Sequence, residues 1–134
     1  MIGALSIPCF LFVVALIFLI CGIFILNYLD SMCSEDDRVS SFYGWNSPHI
    51  DPKRLAHFGF FHLNPKMDMF GYSVLDPDAV MCFSCGVVVT NWEVSDNIAR
   101  VHIEFSPCCE FMRNSDSTNG VLNQELRELI DVCN

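Results

Sequence analysis

The chain is 134 residues long with a formal net charge of −9, and all of its seven Lys/Arg and sixteen Asp/Glu fall from Asp30 onward. So acidic a balance, with its basic residues scattered singly, excludes a nucleic-acid partner, which needs clustered Lys and Arg to neutralise phosphates. The stretch after the uncharged start suffices for one small domain and excludes two-domain and large enzyme folds. A domain that small usually needs a metal, disulfides or partners to supplement its core.

Residues 1–29 form the first predicted element. Ile7 to Leu26 is an unbroken apolar run of twenty residues, and at 1.5 Å of helical rise each it matches a hydrocarbon core of about 30 Å. Pro8 is tolerated because the first helical turn has no intrahelical use for its missing N–H. A cleaved secretory signal would show a basic start, a shorter apolar stretch and a small-residue cleavage site, and the run has none of these. The expectation is a single uncleaved span that meets the lipid bilayer through residues 7–26. No Lys or Arg precedes it and Arg38 follows the acidic Glu35-Asp36-Asp37, so the weak orientation cue favours a carboxyl-terminal domain on the outer side.

After residues 30–37, read as an acidic linker, Pro52 to Phe58 predicts a short helix with Leu55 and Phe58 inward, closed by Gly59. Val80–Phe83 and Gly86–Trp92 predict two short strands around a knuckle. Asn97–Phe105 predicts a helix with Ile98, Val101 and Phe105 on its apolar side. Residues 114–134 read as a linker and an amphipathic helix. In it Leu122, Leu126, Leu129, Ile130 and Cys133 recur at helical spacing, either to pack back on the domain or to dock on a partner.

The cysteines carry the chemistry. Cys82 and Cys85 form a C-x2-C pair, sixteen residues precede His102 and six more precede Cys109. Three thiolates and one imidazole can close a tetrahedral zinc site, and a site with four protein ligands is structural because no position stays open for water. By itself the C-x2-C pair leaves a disulfide open as the alternative in an oxidising compartment.

The flanking residues narrow this. Arg38, Phe42 and Trp45 keep an Arg-x3-aromatic-x2-Trp spacing; Leu55-Ala56-His57-Phe58-Gly59-Phe60-Phe61 follows; Asp78, Val80, Cys82, Phe83 and Cys85 form Asp-x-Val-x-Cys-Phe-x-Cys. Trp92 stands seven residues past the second thiol, and Pro107 two before Cys109. Over residues 38–113 the chain resembles the baculoviral inhibitor-of-apoptosis repeat, the BIR domain. The resemblance implies an α+β zinc domain of short helices around a small antiparallel sheet, with one structural Zn2+ on Cys82, Cys85, His102 and Cys109 and no enzymatic activity. It also implies a groove for peptides with an Ala-initiated amino terminus, which maps onto Thr90, Trp92, Asp96 and Phe105. Val88 stands where the family often has Gly, and Val101 where Gln often touches the ligand; both weaken that groove.

Three features depart from the family. Residues 62–77 form an insertion whose Met67, Met69, Phe70 and Tyr72 suit a partner surface, as do Leu126 and Leu129 of the tail. No Cys/His cluster for ubiquitin transfer follows residue 113. Cys33, Cys108 and Cys133 stand outside the metal set; on an oxidising side Cys33 could form a disulfide with Cys108 or Cys133, and three free thiols are the alternative. No nucleophile stands at a readable spacing from a base, and a closed zinc shell offers no open position for hydrolysis, so neither enzymatic activity nor a small-molecule substrate is expected. In layout, an uncleaved amino-terminal anchor before a Cys-rich acidic domain resembles the per os infectivity factors of the baculovirus envelope. The expectation drawn from that layout is a single-pass subunit of a viral envelope complex, bound to other membrane or envelope proteins and acting in host-cell entry. The alternative is a membrane-tethered inhibitor-of-apoptosis-like protein binding caspases or Ala-initiated peptides.

Overall fold

The computed structural model describes residues 7–63, 76–114 and 124–131. The chain divides into two compact units, Met1–Ser31 and Met32–Asn134. The first contains one helix, α1 (Ile7–Ser31). Its Val13–Ser31 stretch is long and apolar enough to cross a membrane and none of it is buried. The apolar run thus continues as helix past Leu26, through Asn27 to Ser31, whose Oγ donates to the Tyr28 carbonyl at 2.7 Å.

The second unit opens with α2 (Glu35–Ser41), capped by Ser34, whose Oγ accepts from the Asp37 amide. Glu35, Asp36 and Asp37 fill its first turn, where carboxylates oppose the positive end of the helix dipole. This corrects the linker expectation for residues 30–37: they close one helix and begin the next, and Met32 between them is buried. Next comes α3 (Pro52–His57), with Asp51 as N-cap and Pro52 in its first turn. Phe58 caps it instead of lying within it, as Gly59 turns the chain with φ of +87°.

Gly59 leads into β1 (Phe60–His62), a strand absent from the sequence-based expectation. It pairs antiparallel with β2 (Val80–Cys82), and β2 with β3 (Val88–Val89), in the order β1-β2-β3. The register sets Phe60 opposite Cys82 and His62 opposite Val80. Three helices follow: α4 (Ile98–Phe105), capped by Asn97; α5 (Glu110–Asn114); and α6 (Gln124–Asp131). Helix α6 packs on α4 and its Ile130 rests on the core, so the tail helix packs back on the domain at that residue. The core gathers Leu55, Phe60, Val80, Ile98, Ile103 and Met112 from five of these elements. The α+β architecture with a small antiparallel sheet is the one expected.

Arg38 locks the entry to this unit. It is buried, and its Nε donates to the Ala56 carbonyl at 2.8 Å while Nη1 donates to Met32 and Cys33 carbonyls at 2.7 and 3.0 Å. Its guanidinium lies 4.6 Å from the Phe83 ring centroid and 5.5 Å from that of Phe111, which adds cation–π attraction. Arg38→Met keeps the stem but strands those carbonyls. The expected cost is about 3 kcal/mol, from the range for buried hydrogen bonds to charged groups and orphaned acceptors, read as a lowered urea midpoint at constant slope.

Candidate metal centre and peptide groove

Four elements deliver the metal-binding side chains. Cys82 ends β2, Cys85 lies in the knuckle after it, His102 points inward from α4, and Cys109 immediately precedes α5. Cys82, His102 and Cys109 are buried and Cys85 is half-buried. Their three sulfurs and the imidazole nitrogen all lie within 4.8 Å of one another.

Tetrahedral geometry tests whether zinc fits. Ligands at about 2.3 Å (sulfur) and 2.0–2.1 Å (nitrogen) from a tetrahedral centre stand about 3.8 Å apart for two sulfurs and about 3.5 Å for sulfur and nitrogen. Cys82 Sγ lies 3.9 Å from Cys109 Sγ, and Cys85 Sγ lies 3.5 Å from His102 Nε2. The donor set fits one structural zinc ion bound by three cysteines and one histidine. Cys82, Cys85 and Cys109 are free thiols, which removes the disulfide alternative for the pair.

The surrounding groups orient the ligands. His102 Nδ1 stands 3.0 Å from the Phe58 carbonyl, which can only accept, so the proton sits on Nδ1 and Nε2 presents its lone pair to the sulfurs. The Phe60 ring lies 4.4 Å from the imidazole. The Ser84 amide donates to Cys82 Sγ at 3.4 Å, and the Gly86 amide to the Cys82 carbonyl at 2.9 Å. Burial disfavours the charged imidazole, but the thiols of Cys109 and Cys85 outweigh it and raise the His102 pKa to about 9. Hydrogen bonds from Cys109 and Cys82 hold the Cys85 thiol pKa down, while those involving Cys109 and Cys85 push that of Cys82 up. Binding a cation at the quartet therefore displaces protons from its ligands.

The residues expected to form a groove run from Thr90, just after β3, to Phe105, the last residue of α4. Strand β3 is an edge strand, and Val88 on it is exposed. Thr90 is half-buried with its Oγ1 accepting from Asn91 Nδ2 at 2.9 Å. Trp92 is 5% exposed and belongs to the core, edge-to-face on Phe60 at 5.8 Å, and its indole N–H has no hydrogen-bond partner. Asp78 fixes this turn, accepting the Asn91 amide at 3.1 Å and the Trp92 amide at 2.8 Å. Half-buried Asp96 accepts the Glu93 amide on Oδ2 at 2.7 Å. Phe105 is 68% exposed, which corrects its expected place on the apolar side of α4; Ile98, Ala99, His102 and Ile103 are buried there, and Val101 is half-buried against the core.

The remaining expected residues fare differently. Cys33 is a free, exposed thiol, which corrects its inclusion in a disulfide, whereas Cys108 is disulfide-bonded. Met67, Met69, Phe70, Tyr72 and Cys133 lie outside the described residues, as do the side chains of Leu126 and Leu129. Sequence reasoning missed the Phe58 carbonyl, a backbone group without a signature, and Phe111, which packs edge-to-face on Phe83 at 5.0 Å.

Fold and site together define a small α+β scaffold closed by a structural zinc centre. The BIR family, the Inhibitor of Apoptosis domain, matches residues 38–113, more than half of the chain. The chain belongs to this family, whose domains are non-catalytic scaffolds. Baculoviral IAP repeat-containing protein 7-B of Xenopus laevis is 36% identical over 105 residues, covering 74% of this chain and 27% of its own. For human Baculoviral IAP repeat-containing protein 3 the values are 32% over 88 residues, 66% and 13%. For E3 ubiquitin-protein ligase XIAP of Xenopus tropicalis they are 36% over 90 residues, 66% and 16%. The chain thus spans about a quarter or less of these relatives' lengths. The crystal structure of the autoinhibited dIAP1-BIR1 domain shares the fold, with a TM-score of 0.50, 24% identity, and coverage of 73% of this chain and 88% of that one.

Proposed function

We propose that the protein is a membrane-tethered, inhibitor-of-apoptosis-like interaction module that binds peptides with an Ala-initiated amino terminus, including those of caspases or their antagonists. The observation that carries this is Asp96. Its carboxylate is pinned by the Glu93 amide, half-exposed, and free of any salt bridge among the described residues, four residues beyond Trp92 on the connection that follows edge strand β3. A fixed, unneutralised carboxylate suits an α-ammonium group, and an open strand edge suits extended peptide backbone. The apolar α1 supports tethering by residues 7–26, with single-pass membrane localisation. Peptide capture takes precedence over the envelope-subunit expectation because the matched relatives are IAP proteins, while the envelope reading has only the chain's layout behind it.

The test is titration of a fluorescent Ala-initiated tetrapeptide into the detergent-solubilised, zinc-loaded chain. Binding at micromolar concentration is expected, weakened at least about tenfold by Asp96→Ala, from the 1.5–3 kcal/mol of a charge-assisted hydrogen bond. Equal binding by an amino-acetylated peptide, or by the Asp96 variant, would refute the assignment. Affinity purification with mass spectrometry separates the two readings: caspases or their antagonists favour this one, envelope proteins the other.

A further inference from the structure

Arg38 is 2% exposed, and no carboxylate forms an ion pair with it among the described residues. Its hydrogen bonds run to the Ala56, Met32 and Cys33 carbonyls, which carry dipoles but no net charge. Glu35, on the first turn of the same helix, is exposed and directed to His57 at 3.4 Å. A cation taken this far out of water is costly unless an anion answers it.

The two aromatic rings beside the guanidinium lead to that anion. Phe83 directly follows the ligand Cys82, and Phe111 stands two residues past the ligand Cys109; their ring centroids lie 4.6 and 5.5 Å from Arg38 Cζ. A Cβ at Gly59 would meet both the Phe111 ring, at 2.8 Å, and Cys82 Sγ, at 3.5 Å, so ring and sulfur are neighbours. Three thiolates and a neutral imidazole around Zn2+ leave the centre with one negative charge in excess. Burial lowers the Arg38 pKa, while Glu35, Cys82 and Cys33 act against it.

We propose that Arg38 is a positioning residue of the metal centre, its guanidinium serving as the buried counter-cation of the zinc–tris-thiolate site. It acts across the Phe83 and Phe111 rings, lowering the electrostatic cost of gathering three thiolates. The same guanidinium holds the Met32 and Cys33 carbonyls, so metal loading is linked to the seating of the residues that open this unit. Loss of the charge weakens the metal, and loss of the metal leaves a buried cation unanswered.

The test measures zinc affinity, by competition with a chromophoric chelator, in the detergent-solubilised full chain carrying Arg38→Met, Cys85→His or both. Cys85 is the half-buried ligand, and exchanging it for His gives two thiolates and two imidazoles with no excess charge. Arg38→Met is expected to weaken zinc binding about tenfold or more with Cys85 present, the usual scale for a partner just outside the ligand set. With Cys85→His the loss should fall below about threefold. Equal losses in the two backgrounds would mean that Arg38 serves the fold alone. Cobalt(II) in place of zinc gives a second readout that needs no ligand variant. Removing a neighbouring cation raises the thiolate electrons in energy, so the sulfur-to-cobalt charge-transfer band of Arg38→Met should move to longer wavelength. Arg38→Lys, which keeps the charge but not the fork of hydrogen bonds, should leave the band in place. Superimposable bands in Arg38→Met and the unmodified chain would overturn the assignment, even if the Cys85→His variant binds no metal. If Arg38→Met takes up no metal at all, Arg38→Lys decides: normal loading sustains the counter-cation, and equal failure overturns it.

Discussion

His102→Ala is expected to abolish metal binding and unfold residues 38–113. The imidazole is fully buried, touches Phe60 and is anchored to the Phe58 carbonyl, so its loss opens a cavity and leaves three thiols facing each other without the fourth ligand. Structural zinc binding is worth roughly 10–16 kcal/mol in small domains, against a total stability of about 5–15 kcal/mol; the domain has no surplus to survive the loss. Elemental analysis should give one zinc per unmodified chain and essentially none for the variant, and far-UV circular dichroism should lose its cooperative transition. A strong chelator at neutral pH should reproduce the variant in the unmodified chain. Because each ligand must surrender its proton to the metal, zinc affinity should rise with pH. A variant that retained one zinc and an unaltered melting curve would remove the site from the fold's foundations.

The metal quartet was legible because its residue types are scarce and its spacing rigid, so a linear pattern transmits a three-dimensional site. Strand β1 was not, for a physical reason: Phe60, Phe61 and His62 are all buried, and without a solvent face the run shows no period-two alternation. Helix α4 shows a subtler failure. Ile98, Val101 and Phe105 fit an apolar stripe by spacing, but the buried residues Ile98, Ala99, His102 and Ile103 centre on a direction about 90° away from Phe105 at 100° per residue. Ligation demands that His102 face inward, and that demand outranks the hydrophobicity of Phe105. Trp92, which the motif maps onto the groove, packs on Phe60 and belongs to the core.

Gly59→Ala is the second substitution expected to have a large effect, and comparison with Gly44→Ala separates its two causes. Both glycines hold a positive φ, +87° and +83°, which costs a side chain roughly 1–2 kcal/mol. A Cβ at Gly44 would meet nothing within 4 Å, so only this backbone cost applies. At Gly59 the Cβ would lie 2.8 and 2.9 Å from two Phe111 ring carbons and 3.5 Å from Cys82 Sγ. Phe111 cannot simply swing aside, since Phe83 packs on it at 5.0 Å and Arg38 approaches its ring at 5.5 Å. Overpacking adds roughly 1–3 kcal/mol, so the Gly59 variant should lose about 2–5 kcal/mol in all, or at least about 8 °C in Tm at 4–8 °C per kcal/mol for a domain of this size. The strain also reaches the metal: the Gly59 carbonyl accepts the Phe83 amide at 3.1 Å, and the preceding carbonyl, of Phe58, orients His102. Competition with a chromophoric chelator should therefore show weaker zinc binding in Gly59→Ala but not in Gly44→Ala. Equal Tm losses in the two variants would mean that the close approach to Phe111 and Cys82 carries no energy, and that the glycine serves the turn alone.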